Sequence, residues 1–314
     1  MNAGTKMKLT IQQVKQFLTD HYSDSVGGVT ALTCGNWSQA FAFNREGKPY
    51  VIRFGQHVAD YRKDKVAANF ASPALPIPQI LEIGKAFDAY FAVSEQAFGE
   101  MLDQLDEPKM QKIVPAVLAM FDAMREVDLS AYEGFGKWDD KGHAPHKAWQ
   151  DYLLQVGVDD PTSRTHGWRA KLAASPIGDD AFNNGLDRLK ELTAGCPNEK
   201  HLIHTDLLNG NAMAQDDHIS AVFDWGNALC GDSLHDLACF SYWSKWFHYM
   251  HGIDWEAEAR QHFDAIGLNV SNFDERLRCY KLHISLEAQS YNAFTEKWDE
   301  LEINTKHMLE LVQP

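Results

Sequence analysis

Cysteine is scarce in this chain and cannot be fully paired: Cys34, Cys196, Cys230, Cys239 and Cys279 are odd in number and form no C-x-x-C. Neither a disulfide framework nor a zinc ribbon is suggested by that pattern, and a reducing, cytoplasmic setting is expected. Positive charge is short as well. With 29 Lys and Arg against 44 Asp and Glu, the formal charge is −15, which argues against a nucleic-acid partner, whose binding surface would carry a basic patch. No stretch approaches the ~18 consecutive apolar residues of a membrane span, so no membrane partner is expected. The amino end, Met1 to Lys8, is basic but leads into Leu9-Thr10-Ile11-Gln12-Gln13, which lacks an apolar signal core, and export is not expected. No internal repeat or low-complexity tract stands out.

What remains is the composition of an ordinary soluble enzyme: 314 residues, 45% hydrophobic and 11% aromatic. A chain of this length can bury a sizeable core and suggests about two domains. The acidic balance favours solubility, or a cleft that attracts a polycationic small molecule. Net charge alone does not choose between them.

The chemistry concentrates in His204-Thr205-Asp206-Leu207-Leu208-Asn209-Gly210-Asn211, followed by the apolar run Ile219 to Phe223 and then Asp224-Trp225. Asp206 offers a carboxylate that can orient a hydroxyl and take its proton. Asn211 and Asp224 offer the hard oxygen ligands that suit Mg²⁺. Phosphoryl transfer asks for little more, because its loose transition state is served mainly by alignment and charge neutralisation. A His-x-Asp tripeptide alone would read as a strand and a turn. The later run Gly231-Asp232-Ser233-Leu234-His235-Asp236-Leu237-Ala238 makes coincidence a poor account of the whole.

This combined pattern resembles the aminoglycoside phosphotransferases, whose catalytic run is H-x-D-x-x-x-x-N and whose later block is similar to Asp224, Trp225, Ala228, Gly231, Asp232, Asp236, Leu237 and Ala238. The likeness is greatest to the branch that acts on hygromycin B, and covers 70–78, 201–246 and the stretch from Leu277. It implies an α+β, bilobal protein-kinase-like fold: a small sheet-rich nucleotide-binding lobe over 1–94, a linker over 95–99, and a larger, mostly helical catalytic and acceptor-binding lobe over 100–314. It also implies Mg²⁺ and ATP, with GTP as the alternative, a cytoplasmic monomer, and transfer of the γ-phosphate to an antibiotic hydroxyl.

Carried onto this chain, the resemblance makes Asp206 the catalytic base and Asn211 and Asp224 the Mg²⁺ ligands. Gly35 and Ser38, in the segment Thr33 to Phe43 that resembles the family's nucleotide loop, would approach the phosphates. The strand Tyr50-Val51-Ile52-Arg53-Phe54 carries Arg53 where kinases carry a lysine. Arginine keeps the charge, but its planar fork binds phosphate in a different geometry. Asp64 stands where the family's helix glutamate pairs with that cation, although Lys63 and Lys65 beside it leave the register open. After Pro76 and Pro78, strands are expected at Ile80 to Gly84 and Tyr90 to Ser94. The carbonyl of Ser94 and the amide of Gln96 would then face the base.

Helical spacing is read at Leu9, Val14, Phe17 and Leu18, at Ile113 to Met124, at Leu186 to Leu192 and at Leu277 to Phe294. The segment Gly134 to Gly142, with Asp139 and Asp140, and the pair Asp159 and Asp160 are candidates to bound the acceptor cleft. His201 and His204, three apart on a strand, would point to opposite faces, and His248 with His251 reads as a surface pair. No zinc is assigned. Trp243 and Trp246 read as packing residues. Two other functions stay open: a kinase of another small alcohol, such as choline, homoserine, methylthioribose or a macrolide, and a nucleotide-binding regulator without catalysis. The absence of HRD, DFG and A-P-E disfavours a protein kinase.

Overall fold

The computed structural model describes residues 8–23, 26–32 and 38–313. Two compact units emerge, and neither is a single stretch of chain: the first holds residues 1–123, 138–142 and 206–228, the second 124–137, 143–205 and 229–314. Gly35 lies outside the described residues.

In the first unit, α1 (Ile11–Tyr22) starts at Thr10, whose side chain accepts the Gln13 N–H while the Gln13 side chain reaches back to the Thr10 N–H. This reciprocal cap satisfies two otherwise orphaned donors. Strands β1 (Val26–Ala31), β2 (Ser38–Arg45) and β3 (Lys48–Gly55) follow, then helix α2 (Val58–Ala67) and strands β4 (Ile80–Ala86) and β5 (Ala89–Glu95). They form an antiparallel sheet in the order β1-β2-β3-β5-β4. Alternation places Phe41 and Phe43 of β2 with Ile52 and Phe54 of β3 and Phe91 and Val93 of β5, and Val14 and Leu18 of α1 close over them. All are nearly solvent-free, so each aromatic removes a large apolar area from water. The same rings explain why α1 belongs to this sheet.

The unit continues with β6 (Glu100–Met101) and most of α3 (Glu107–Arg125). In the second unit come β7 (Gly136–Lys137), α4 (Trp149–Leu154), α5 (Trp168–Ala173), α6 (Asp180–Thr193) and β8 (His201–Ile203). The chain then returns to the first unit for β9 (Ala212–Gln215) and β10 (His218–Val222), which join β6 in a three-stranded sheet ordered β10-β9-β6. Strand β11 (Leu229–Gly231) completes a small sheet, β7-β11-β8, in the second unit.

Helices α7 (Leu234–Trp243), α8 (Trp255–Ile266), α9 (Phe273–Thr295) and α10 (Trp298–Val312) finish the second unit. Helix α9 packs against α5, α6, α7 and α10, and residues on several of its faces are buried, as a helix at the centre of a bundle must be. Its anchor is polar. Arg276 donates through Nε and Nη2 to the fully buried Asp232 carboxylate at 2.8 and 2.7 Å, and the Tyr280 hydroxyl donates to the same group. The helical spacings expected from Leu9, Ile113, Leu186 and Leu277 fall within or beside α1, α3, α6 and α9. Among the described residues no helix is long and apolar enough to cross a membrane.

Candidate active site

Every described residue singled out for catalysis or nucleotide binding lies in the first unit. Strand β3 carries Arg53 in the middle of the sheet, paired with Ala40 on one side and Ala92 on the other. Its guanidinium donates through Nη2 to Oδ2 of Asp64 on α2. The structure thereby places Asp64, and not Lys63 or Lys65, against Arg53. Burial works against the Arg53 charge, but Asp64 and Asp224 outweigh it and its pKa is raised.

Asp64 has a second partner. Its Oδ1 accepts the backbone N–H of Trp225 at 2.7 Å, so one buried carboxylate joins the arginine of β3 to the turn that follows Asp224. On the same helix, Lys63 donates to the carbonyl of Gly226 at 2.8 Å. The turn Asp224-Trp225-Gly226 is therefore held by α2 through two backbone contacts. Asp224 itself sits at φ 62, a left-handed conformation that non-glycine residues seldom adopt.

Asn211 and Asp224 are brought together by the pairing of β9 with β10. Ala212 lies opposite Val222, and the next bond in line is Phe223 N–H to the Asn211 carbonyl at 2.9 Å, which leaves Asp224 one residue beyond. The Asn211 side chain is buried. Its Nδ2 donates to the backbone carbonyl of Asp206 at 2.8 Å, which fixes the amide and leaves its Oδ1 as the acceptor of the side chain. Asp206 is half-buried, and one of its carboxylate oxygens accepts from Asn209 Nδ2.

Asp224 is an exposed residue, but protein atoms crowd its carboxylate. That desolvation first, then the nearby Asp64 and Asp60, raise its pKa against the pull of Arg53 and the Gly226 N–H. Three carboxylates, of Asp60, Asp64 and Asp224, thus lie among two cations, Arg53 and Lys63. Two hard oxygen donors in a field with excess negative charge fit a divalent cation such as Mg²⁺.

Ser38 opens β2 opposite Gly55. Ser94, the penultimate residue of β5, lies between Val51 and Ile80, and the Gln96 N–H donates to the Pro49 carbonyl at a long 3.4 Å. Next along, Gly99 has φ 145, and a Cβ there would lie 2.5 Å from the Ala214 carbonyl oxygen. Only glycine lets the chain pass that close to β9.

In the second unit, the backbone leading into Asp206 is held from Asp236. Its two carboxylate oxygens accept the N–H of His204 at 2.8 Å and of Thr205 at 2.7 Å. Thr205 has φ 71, an outlier for a β-branched residue. Burial raises the Asp236 pKa to about 6 despite those two bonds. His204 is fully buried, and the half-buried His201 accepts from Ser233 N–H. His235 is buried against His283 at 3.4 Å, and desolvation with that neighbour lowers its pKa to about 3.

Other expected residues have local work. Asp140 pairs with Arg62 of α2 at 2.6 Å, within the first unit. Asp159 accepts from Gly167 N–H and Asp160 from Thr162 N–H, both closing loop turns. His248 lies in a short 3₁₀ turn, and His251 reaches the Lys245 carbonyl at 3.4 Å. Trp243 and Trp246 meet in a tilted pair at 5.1 Å, and Trp246 meets His307 at 4.5 Å.

Lys63 and Asp60 were not legible as site residues. The signal available was spacing, since Asp60 stands four residues before Asp64 on one face of a helix. Asp236 lay within a recognised run, but its two acceptor bonds are a matter of backbone geometry.

An antiparallel sheet whose arginine is clasped by a helix carboxylate, together with an Asp, an Asn and a second Asp on the loops of a β-hairpin, defines a phosphotransferase of the kinase-like class. The chain belongs to the phosphotransferase enzyme family, whose profile matches residues 29–272. It is 31% identical to Hygromycin-B 4-O-kinase of Escherichia coli over 293 residues, covering 93% of this chain and 82% of that protein. Among solved structures, aminoglycoside phosphotransferase APH(4)-Ia in ternary complex with AMP-PNP and hygromycin B matches with a TM-score of 0.81 at 27% identity, over 95% of this chain and 97% of that one. The GDP complex of aminoglycoside 2'-phosphotransferase-IIIa shares the fold, with a TM-score of 0.64 at 13% identity over 97% and 99%.

Proposed function

We propose that the protein is an Mg²⁺-dependent kinase that moves the γ-phosphate of ATP to a hydroxyl of hygromycin B, and so confers resistance to it. The observation that carries this reading is that Asp206, Asn211, Asp224 and the Arg53–Asp64 pair all lie in one compact unit. The choice of acceptor is supported by the relative named above, which matches along nearly the whole chain.

Asp206 accepts the hydrogen of the attacking hydroxyl and takes its proton as the new P–O bond forms and the bond to the β-phosphate oxygen breaks. The Asn209 amide, donating to one of its oxygens, orients the carboxylate for that task. Arg53 binds phosphate oxygens, and Asp64 aims its guanidinium. Ser38 sits at the phosphates, and the Ser94 carbonyl near the end of β5 and the Gln96 amide in a linker over 95–99, which gives up its long bond to Pro49, take the base. Asn211 Oδ1 and the Asp224 carboxylate hold Mg²⁺, which when bound neutralises charge on the phosphates. The surplus of acidic side chains favours encounter with a polycationic acceptor.

The test is nucleotide consumption by the purified protein with Mg²⁺, offered hygromycin B, other aminoglycosides, choline and homoserine, with mass spectrometry of each acceptor. One phosphate added to hygromycin B is the expected result. Asp206→Asn should cut turnover by about 10²–10⁴-fold, the usual weight of a general base, while AMP-PNP still binds. Turnover close to wild type in that variant would remove Asp206 from the role of base.

A further inference from the structure

Lys63 and Asp64 are consecutive on α2, and they grip the peptide units on either side of the 225–226 peptide, in the turn after Asp224. The Lys63 ammonium holds the Gly226 carbonyl at 2.8 Å, and Asp64 holds the Trp225 N–H at 2.7 Å. A carbonyl at this position could bond water instead, so hydrogen-bond satisfaction alone does not call for a lysine. What the pair constrains is backbone direction. Asp224 holds φ 62, and such a conformation persists where the surroundings over-determine it.

The turn is also crowded from inside. A Cβ on Gly226 would come within 3.3 Å of Asp224 Oδ1 and 3.5 Å of Asp60 Cγ, so the carboxylate of Asp224 folds back over its own turn. Rotation of the 225–226 peptide would withdraw the Gly226 N–H that bonds that carboxylate. Lys65, on the same helix, is exposed, whereas Lys63 is half-buried.

We propose that Lys63 is a positioning residue for the metal ligand Asp224: by holding the Gly226 carbonyl it fixes the turn that presents the carboxylate beside Asn211. This rests on the reading of Asp224 as an Mg²⁺ ligand. Lys63 acts through the backbone of this turn.

The probe is Mn²⁺ in the presence of AMP-PNP, titrated by electron paramagnetic resonance with the full chain. Lys63→Met is expected to weaken Mn²⁺ binding by about ten- to a hundredfold, the scale of outer-sphere losses in metal sites, and to leave metal-free AMP-PNP affinity unchanged. Lys63→Arg, which can still donate to the carbonyl, should restore most of the affinity, and Lys65→Met should behave as wild type. If Lys63→Met does not fold, Lys63→Gln takes its place in the same titration. Asp224→Asn separates the two readings. Unaltered Mn²⁺ affinity in Asp224→Asn removes Asp224 as a ligand. Loss in Asp224→Asn with unaltered affinity in Lys63→Met overturns the role of Lys63 alone.

Discussion

Replacing Asp64 is the sharpest perturbation available, because one carboxylate serves two partners that can be removed separately. Asp64→Asn removes the charge facing Arg53 but can keep an oxygen for the Trp225 N–H. Asp64→Ala removes both. Breaking a buried ion pair from one side costs ~3–5 kcal/mol. The Arg53 side chain retains 18% of its surface and still feels Asp224, so about 2 kcal/mol is the expected loss for the asparagine variant. Trp225 is fully buried, and stranding its N–H adds ~1–3 kcal/mol, which puts the alanine variant at ~3–5 kcal/mol. Against a native stability of ~5–15 kcal/mol, both should be visible in urea unfolding. Hydrogen exchange gives the local readout: the Trp225 amide should lose protection in the alanine variant and keep most of it in the asparagine one. Equal stability in the two variants, or an unchanged Trp225 amide in Asp64→Ala, would refute the two-partner account.

Two other outcomes follow from the second unit. The Asp236 pKa is raised from 3.8 to about 6, so the native state holds a proton that the unfolded chain releases; this contribution is whole below pH ~4 and is lost as pH climbs through ~6, a change of about 3 kcal/mol. Melting curves should therefore show Asp236→Asn gaining on wild type across that window, and a constant difference between them would contradict the assignment. Arg276→Met strands the fully buried Asp232 and should lower stability by ~3–5 kcal/mol, with Asp232→Asn added to it recovering part of the loss; additive losses in the double variant would show that the two residues do not act as a pair.

The fold was legible wherever periodicity met burial. The Phe41 and Phe43 alternation and the Leu277 to Phe294 spacing became β2 and α9 because each had one hydrophobic face, or an interior, to fill. Tyr50 to Phe54 and Tyr90 to Ser94 were found as strands one or two residues short at each end, since polar end residues such as Lys48 and Glu95 carry no pattern. Asp206, Asn211 and Asp224 could be picked out because their chemistry requires those side-chain types at short separations. Lys63 could not. Its partner is a backbone carbonyl 163 residues away, and a carbonyl has no letter in the sequence. Asp64 stood out only through resemblance, because helix α2 has no strong apolar stripe to set its rotation.

The first unit draws on three separated stretches of chain, and β6, made before residue 102, finds its partner strand β9 only after residue 211. During synthesis the nascent sheet must wait for more than a hundred further residues before that edge is covered. Such long-range closure is slow, and the waiting edge is exposed to misassembly. A fragment ending at residue 99 would lack β9, β10 and Asp224 together. Exchange of amino-terminal portions between relatives should therefore succeed only when residues 206–228 travel with them, as a graft of two pieces instead of one.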